Sequence, residues 1–227
     1  MWRIPQIWEG GRCFIIGGGP SMPREFGVPE EVIQGVLKGH LQPEAYSPYL
    51  KAIHNEHIIA VNMAYRLGNW IDILFFGDDG YWSNNKNQIL AFPGLRITCC
   101  KNVESQYHKR VKILQKDPAH NVGISTKPGY LSWNKNSGGA AISVAAQLGV
   151  KQIILLGFDM KLDDNKNQHW HKFYAGNPKT VGGTFKMHKR GFPAIAEDAK
   201  RLGIEILNAN PNSGIEEFRK VSIKDIL

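Results

Sequence analysis

Short, nearly unbroken apolar runs recur along the chain at residues 13–16, 58–61, 71–76, 152–156 and 204–207. Runs of this length, without polar alternation, fit strands buried on both faces. Between them, residues 29–41, 139–148 and 193–202 carry apolar positions at helical spacing, and residues 43–53 form a turn-rich, partly helical segment. Residues 95–99 and 111–114 are shorter strand candidates, and the Gly, Pro, Ser and Asn content of 116–135 predicts a loop. The order is an alternating α/β one: a mostly parallel sheet with helices on both faces, in a single domain of residues 1–227. A polar, His- and Lys-rich stretch at about 161–190 reads as an insertion or lid.

In such sheets ligands bind outside the carboxyl ends of the strands. Those ends carry Gly17-Gly18-Gly19-Pro20-Ser21, Asn62, Gly77-Asp78-Asp79 and Gly157-Phe158-Asp159. A glycine triplet straight after a strand leaves backbone N–H groups open to an anion and removes each Cβ from its path. The plain alternative is a sharp turn and nothing more. A nicotinamide or flavin site would want a third glycine where Met22 stands and an acidic residue where Asn62 closes the second strand. Asn62 can hydrogen-bond a ribose or a base, but it is uncharged. A dehydrogenase is therefore disfavoured. A second anion site is expected at Asn136-Ser137-Gly138-Gly139, where Asn or Ser caps a helix and the glycines expose its first amides.

Charge adds a rim to this picture. The net charge is +8, and residues 101–135 and 161–190 each carry seven Lys/Arg against two acids. These blocks are either solvated faces or an electropositive border that draws in phosphates; nucleic-acid binding lacks an aromatic-interleaved motif to specify it. No apolar run approaches the ~20 residues of a membrane span. The N-terminus has no signal-peptide pattern. Cys13, Cys99 and Cys100 have no metal-ligand spacing and fit a reducing compartment, so a cytoplasmic location is expected.

Taken together, Ile15-Ile16-Gly17-Gly18-Gly19-Pro20-Ser21, Ser137-Gly138-Gly139-Ala140-Ala141, Leu155-Leu156-Gly157-Phe158-Asp159-Met160 and Asn208-Ala209-Asn210-Pro211-Asn212-Ser213-Gly214 form a recognisable set. It resembles the signatures of bacterial sialyltransferases and of the related 6-hydroxymethylpterin pyrophosphokinase-like proteins (MptE-like, DUF115). With Gln168-His169-Trp170-His171, it is similar to short phage or prophage members. The resemblance implies a Rossmann-like fold and a nucleotide sugar held without metal by Gly17, Gly19, Pro20, Ser21, Asn62, Ser137 and Gly138. It also implies a histidine base acting on an acceptor hydroxyl of a small molecule or glycan. Either His169/His171 or His188 fits that role, since histidine titrates near neutrality, and solvated loop histidines are the simpler alternative. Two further readings follow from other residues. Asp78 or Asp159 on Mg²⁺ would suit pyrophosphoryl transfer from ATP. A non-catalytic nucleotide- or nucleic-acid-binding module would need neither.

Overall fold

The computed structural model describes residues 1–173 and 181–227. In chain order the elements are β1 (Arg12–Ile16), α1 (Ser21–Glu25), α2 (Glu30–Lys38), β2 (His57–Val61), β3 (Ile73–Phe76), α3 (Asp79–Ala91) and β4 (Leu95–Thr98). There follow β5 (Lys112–Ile113), β6 (Gln115–Lys116), β7 (Tyr130–Leu131), α4 (Ser137–Gln147), β8 (Gln152–Leu156), α5 (Val181–Lys189), α6 (Phe192–Leu202), β9 (Glu205–Asn208) and β10 (Arg219–Lys220). Eight strands form the main sheet in the order β10-β9-β8-β1-β2-β3-β4-β5, and all of its pairings are parallel. The expected α/β, Rossmann-like architecture is what the chain adopts.

Strand periodicity divides the core into two layers. Phe14, Ile16, Ile58, Ala60, Leu74, Phe76, Ile154 and Leu156 point to one face. There they meet Ile33 and Val36 of α2, Tyr46 and Leu50 of the 3-10 turns at Pro43–Ile53, and Trp82 and Ile89 of α3. Cys13, Ile15, Ile59, Val61, Ile73, Phe75, Ile153 and Leu155 point the other way, onto α4 and α6. Helix α4 is a run of Gly, Ala and Ser with Ile142 and Val144, and its small side chains let it lie buried against the sheet. No helix among the described residues is long and apolar enough to cross a membrane.

Several boundaries differ from the pattern-based reading, each for a local reason. Strand 71–76 begins at Ile73 because the Asp72 carboxylate turns aside to accept a hydrogen bond from Ile58 N (2.8 Å). Helix 29–41 stops at Lys38, where Gly39 takes φ +75° and the following His40 N–H closes on Gly35 O (2.8 Å). Helix α3 has no counterpart in the expectation, since only Tyr81, Trp82 and Ile89 of its thirteen residues are buried. The loop expected at 116–135 contains β7, which pairs with β6 in a small separate sheet. Part of the lid expected at about 161–190 lies at residues 174–180, outside the described residues; its C-terminal part is α5.

Candidate functional site

The chain starts at the sheet's middle, builds β2 to β5 outward on one side, then crosses back to place β8 on the other side of β1. The β1/β8 boundary is therefore a topological switch point, where the loops leaving the two strands diverge and open a crevice. A cleft of about 660 Å³ lies there. Gly17 and Gly18 line it from β1, Asn62 from β2, Asp78 from β3, and Gly157, Phe158 and Met160 from β8. Trp133, Lys135, Asn136, Ser137 and Gly138 line it from the entry to α4, and Thr184, Met187 and His188 from α5.

Helix α4 begins as its sequence suggests. Asn136 caps it, its side chain accepting from Gly138 N (2.8 Å), and Ser137 Oγ donates to Asp78 Oδ2 (3.4 Å). Asn62 stands in the left-handed region at φ +53°, and its Oδ1 is buried on the cleft wall with no hydrogen-bond partner among the described residues. An orphaned buried acceptor costs about 1–3 kcal/mol. Five non-glycine residues among those described have positive φ, and three of them, Asn62, Lys135 and Met160, line this cleft. Backbone strain of that kind concentrates at functional sites.

The glycine loop is bare for a different reason than an approaching phosphate. A Cβ on Gly19 would stand 2.6 Å from both Asp159 Cγ and Gly157 O, and one on Gly17 would stand 2.8 Å from Gly157 O. On Gly18 it would meet His169 Nδ1 at 2.9 Å. The loop is thus pressed onto the β8 turn, whose Gly157 has φ +67°, and Gly19 N donates to Gly157 O (2.9 Å). Gly17 and Gly18 still line the cleft, whereas Gly19, Pro20 and Ser21 do not, and Ser21 borders a second cleft. Likewise Gly138 is bare against the Phe158 ring and Gly139 against Asn134.

Asp159 belongs to the far side of the loop. It accepts from Ser21 N (2.8 Å), Ser21 Oγ (2.5 Å) and Asn210 Nδ2 (3.0 Å), which ties β1's loop to the turn after β9. Burial raises its pKa, and those hydrogen bonds oppose the shift. With Glu25, Glu30, Asp163 and Asp164 it borders a second, acidic cleft of about 620 Å³. Asp79 is also engaged, accepting from Lys101 N (2.9 Å) and Asn102 N (3.3 Å). Asp78 is therefore the carboxylate that lines the first cleft among the described residues. These residues contain no group of three His, Cys, Asp or Glu placed to hold a metal.

The three candidate histidines part company. His169 and His171 stack on each other, ring centroids 5.1 Å apart, behind the glycine loop rather than on the cleft wall. Between them Trp170 straps the loop down, its N–H donating to Gly18 O (3.0 Å) and its indole Nε1 to Gly17 O (2.9 Å). Burial pushes the His169 pKa down to about 4 and holds His171 well below its ordinary value. His188 is the histidine that lines the cleft. Burial lowers its pKa too, and the Asp78 carboxylate pulls against that shift. The thiols of Cys99 and Cys100 are pushed up to about 12 by burial, so neither is a poised nucleophile. Trp133, Lys135, Met160, Thr184 and Met187 were not foreseeable as lining residues, because left-handed turns and α5 place them there.

No family model matches the chain, and no curated protein matches its sequence. Among solved structures, the MAf glycosyltransferase from Magnetospirillum magneticum AMB-1 is similar with a TM-score of 0.58 at 15% identity. That match covers 97% of this chain and 35% of that one, so the chain spans about a third of that protein's length. The sialyltransferase CstII from Campylobacter jejuni, solved with the substrate analogue cytidine-5'-monophosphate, matches at a TM-score of 0.49 and 16% identity, covering 93% of this chain and 84% of that one. At 15% identity, the similarity to the MAf glycosyltransferase is one of fold.

Proposed function

We propose that the chain is a glycosyltransferase-like enzyme that binds a nucleotide sugar in the switch-point cleft and transfers the sugar to an acceptor hydroxyl. The observation that carries this reading is the convergence, in one cleft, of a buried amide oxygen on Asn62 with no partner among the described residues, the capped start of α4 at Ser137–Gly138, and His188. The amide oxygen suits an amino group of a base or a ribose hydroxyl. The helix start suits a phosphate. The likeness in fold to a glycosyltransferase agrees with this assignment.

In the proposed step the acceptor oxygen attacks the anomeric carbon as the bond from that carbon to the phosphate oxygen breaks. The phosphate leaves with the bonding electrons, and the acceptor's proton passes to His188. Burial keeps His188 neutral, and hence a competent base, at neutral pH, while Asp78 favours the imidazolium that proton transfer creates. Mg²⁺ in a pyrophosphoryl-transfer alternative would draw one carboxylate, Asp78, from the described cleft residues, with substrate phosphates completing the shell.

A thermal-shift panel of CMP, UDP, GDP, ADP and ATP, each with and without Mg²⁺, tests the reading. CMP heads it because the sequence signatures resemble those of sialyltransferases. At a hundredfold excess over its Kd, the right nucleotide stabilises the fold by about 2.7 kcal/mol, without metal. His188→Ala should keep that shift and lose transfer. A shift confined to ATP with Mg²⁺ would replace glycosyl transfer by pyrophosphoryl transfer, and no shift with any nucleotide would remove the nucleotide site.

A further inference from the structure

The turn that leads into α4 is built with unusual care for a surface connection. Asn134 and Lys135 are consecutive non-glycine residues in the left-handed region, with φ of +56° and +51°. Side chains disfavour that region, and two such residues in succession persist only where the surroundings over-determine them. Asn134 supplies the constraint. It is 3% exposed; its Oδ1 accepts from Gly123 N (2.8 Å), and its Nδ2 donates to Gly123 O (2.9 Å) and Ser132 O (3.2 Å). Its own N–H donates to Asn121 O (3.0 Å). Gly139 and Gly191 are bare against it: a Cβ on Gly191 would stand 2.8 Å from Asn134 Oδ1, and one on Gly139 would stand 3.1 Å from Asn134 Cβ.

The outcome of this locking is the placement of one residue. Lys135 is exposed between buried Asn134 and buried Asn136, and it lines the cleft beside Ser137 and Gly138. Several lysines elsewhere are engaged: Lys86 and Lys220 in ion pairs, Lys116 and Lys127 over aromatic rings, Lys151 and Lys189 on backbone carbonyls. Lys135 has no ion pair or hydrogen bond among the described residues, and it is the permanent cation among those that line the cleft.

We propose that Lys135 is the phosphate-binding cation of this site, and that Asn134 is the positioning residue that aims it by locking the left-handed turn. The proposal rests on the nucleotide reading above and deepens it by assigning the group that neutralises the leaving phosphate. A lysine ammonium is a compact charge able to follow the phosphate oxygen as negative charge accumulates there.

Calorimetric titration of CMP, UDP and ADP against cytidine, uridine and adenosine, on the full chain and its variants, tests this. Lys135→Ala should weaken the nucleotide that the wild type prefers by roughly ten- to a hundredfold, the range for a hydrogen bond to a charged group, and leave the matching nucleoside unchanged. Lys135→Arg should restore most of the loss. Asn134→Ala should lower the ratio of nucleotide to nucleoside affinity as well as stability, whereas a purely structural residue would leave that ratio untouched. A wild type that prefers a nucleotide, with Lys135→Ala binding it equally well, overturns the assignment and leaves the nucleotide reading standing. A wild type that binds none of the probes overturns both.

Discussion

The glycine loop after β1 has two sides, and they are built oppositely. On the far side the groups that touch the loop are engaged: Asp159 holds Ser21 and Asn210, and Trp170 donates twice to the loop carbonyls. On the cleft side, among the described residues, Asn62 presents an acceptor without a donor, three residues hold strained backbones, and Lys135 stands unpaired. Residues of similar type thus do different work according to which side they occupy. Satisfied groups hold the loop in place, and unsatisfied ones border the cleft in which the nucleotide is proposed to bind.

The difference is most readily broken on the clasped side. Trp170 is 1% exposed and carries two hydrogen bonds to the loop, so Trp170→Ala should cost about 3–5 kcal/mol of stability. Denaturant unfolding measures this directly. A loss under 1 kcal/mol would show that the strap does not hold the loop.

A pH titration of stability probes the same strap with a somewhat smaller effect. His171 is buried and His169 half-buried, their rings stacked, and desolvation favours the neutral form of both, with Arg66 adding repulsion to any charge on His171. Their folded pKa values lie below the ordinary 6.5, so their contribution is complete above about 6.5. It is lost as pH falls through the folded value, about 4 for His169, because the unfolded chain binds the protons first. Up to about 3 kcal/mol should disappear over that window for His169, and His169→Gln should flatten part of the decline. A flat profile from pH 7 to pH 4 would contradict the burial of these rings.

The cleft side should respond in the opposite sense. Asn62→Gly removes an orphaned buried acceptor and relieves a left-handed residue, so stability should hold within about 1 kcal/mol or rise. Nucleotide affinity should fall by about 1–3 kcal/mol. Loss of stability together with unchanged affinity would place Asn62 on the structural side of the comparison.

The sequence made the sheet readable because its strands are short and apolar on both faces; residues 13–16, 58–61 and 152–156 lie within strands of the main sheet. Helix α3 escaped because its polar, Asn-rich surface leaves too few apolar positions to form a period. At the site, Gly17 and Asn62 could be brought together from strand-end logic, and Ser137 from the helix start it begins. That logic does not distinguish the two sides of a turn. It therefore grouped Gly19, Ser21 and Asp159 with the cleft, although the loop's close contact with Gly157 directs them away. The resemblance admitted His169/His171 and His188 alike as the base; the hydrogen bonds from Trp170 to Gly17 and Gly18 place the first two behind the loop, off the cleft wall.

Hydrogen exchange, read along the whole chain with and without the nucleotide that gives the largest thermal shift, tests most directly which side of the loop receives the ligand. Protection is expected at residues 17–18, 61–63 and 135–140, in and beside the switch-point cleft, with little change at residues 21–25 and 161–165 around the acidic cleft. Protection centred on the acidic cleft, with none at Asn62 or the start of α4, would contradict that placement.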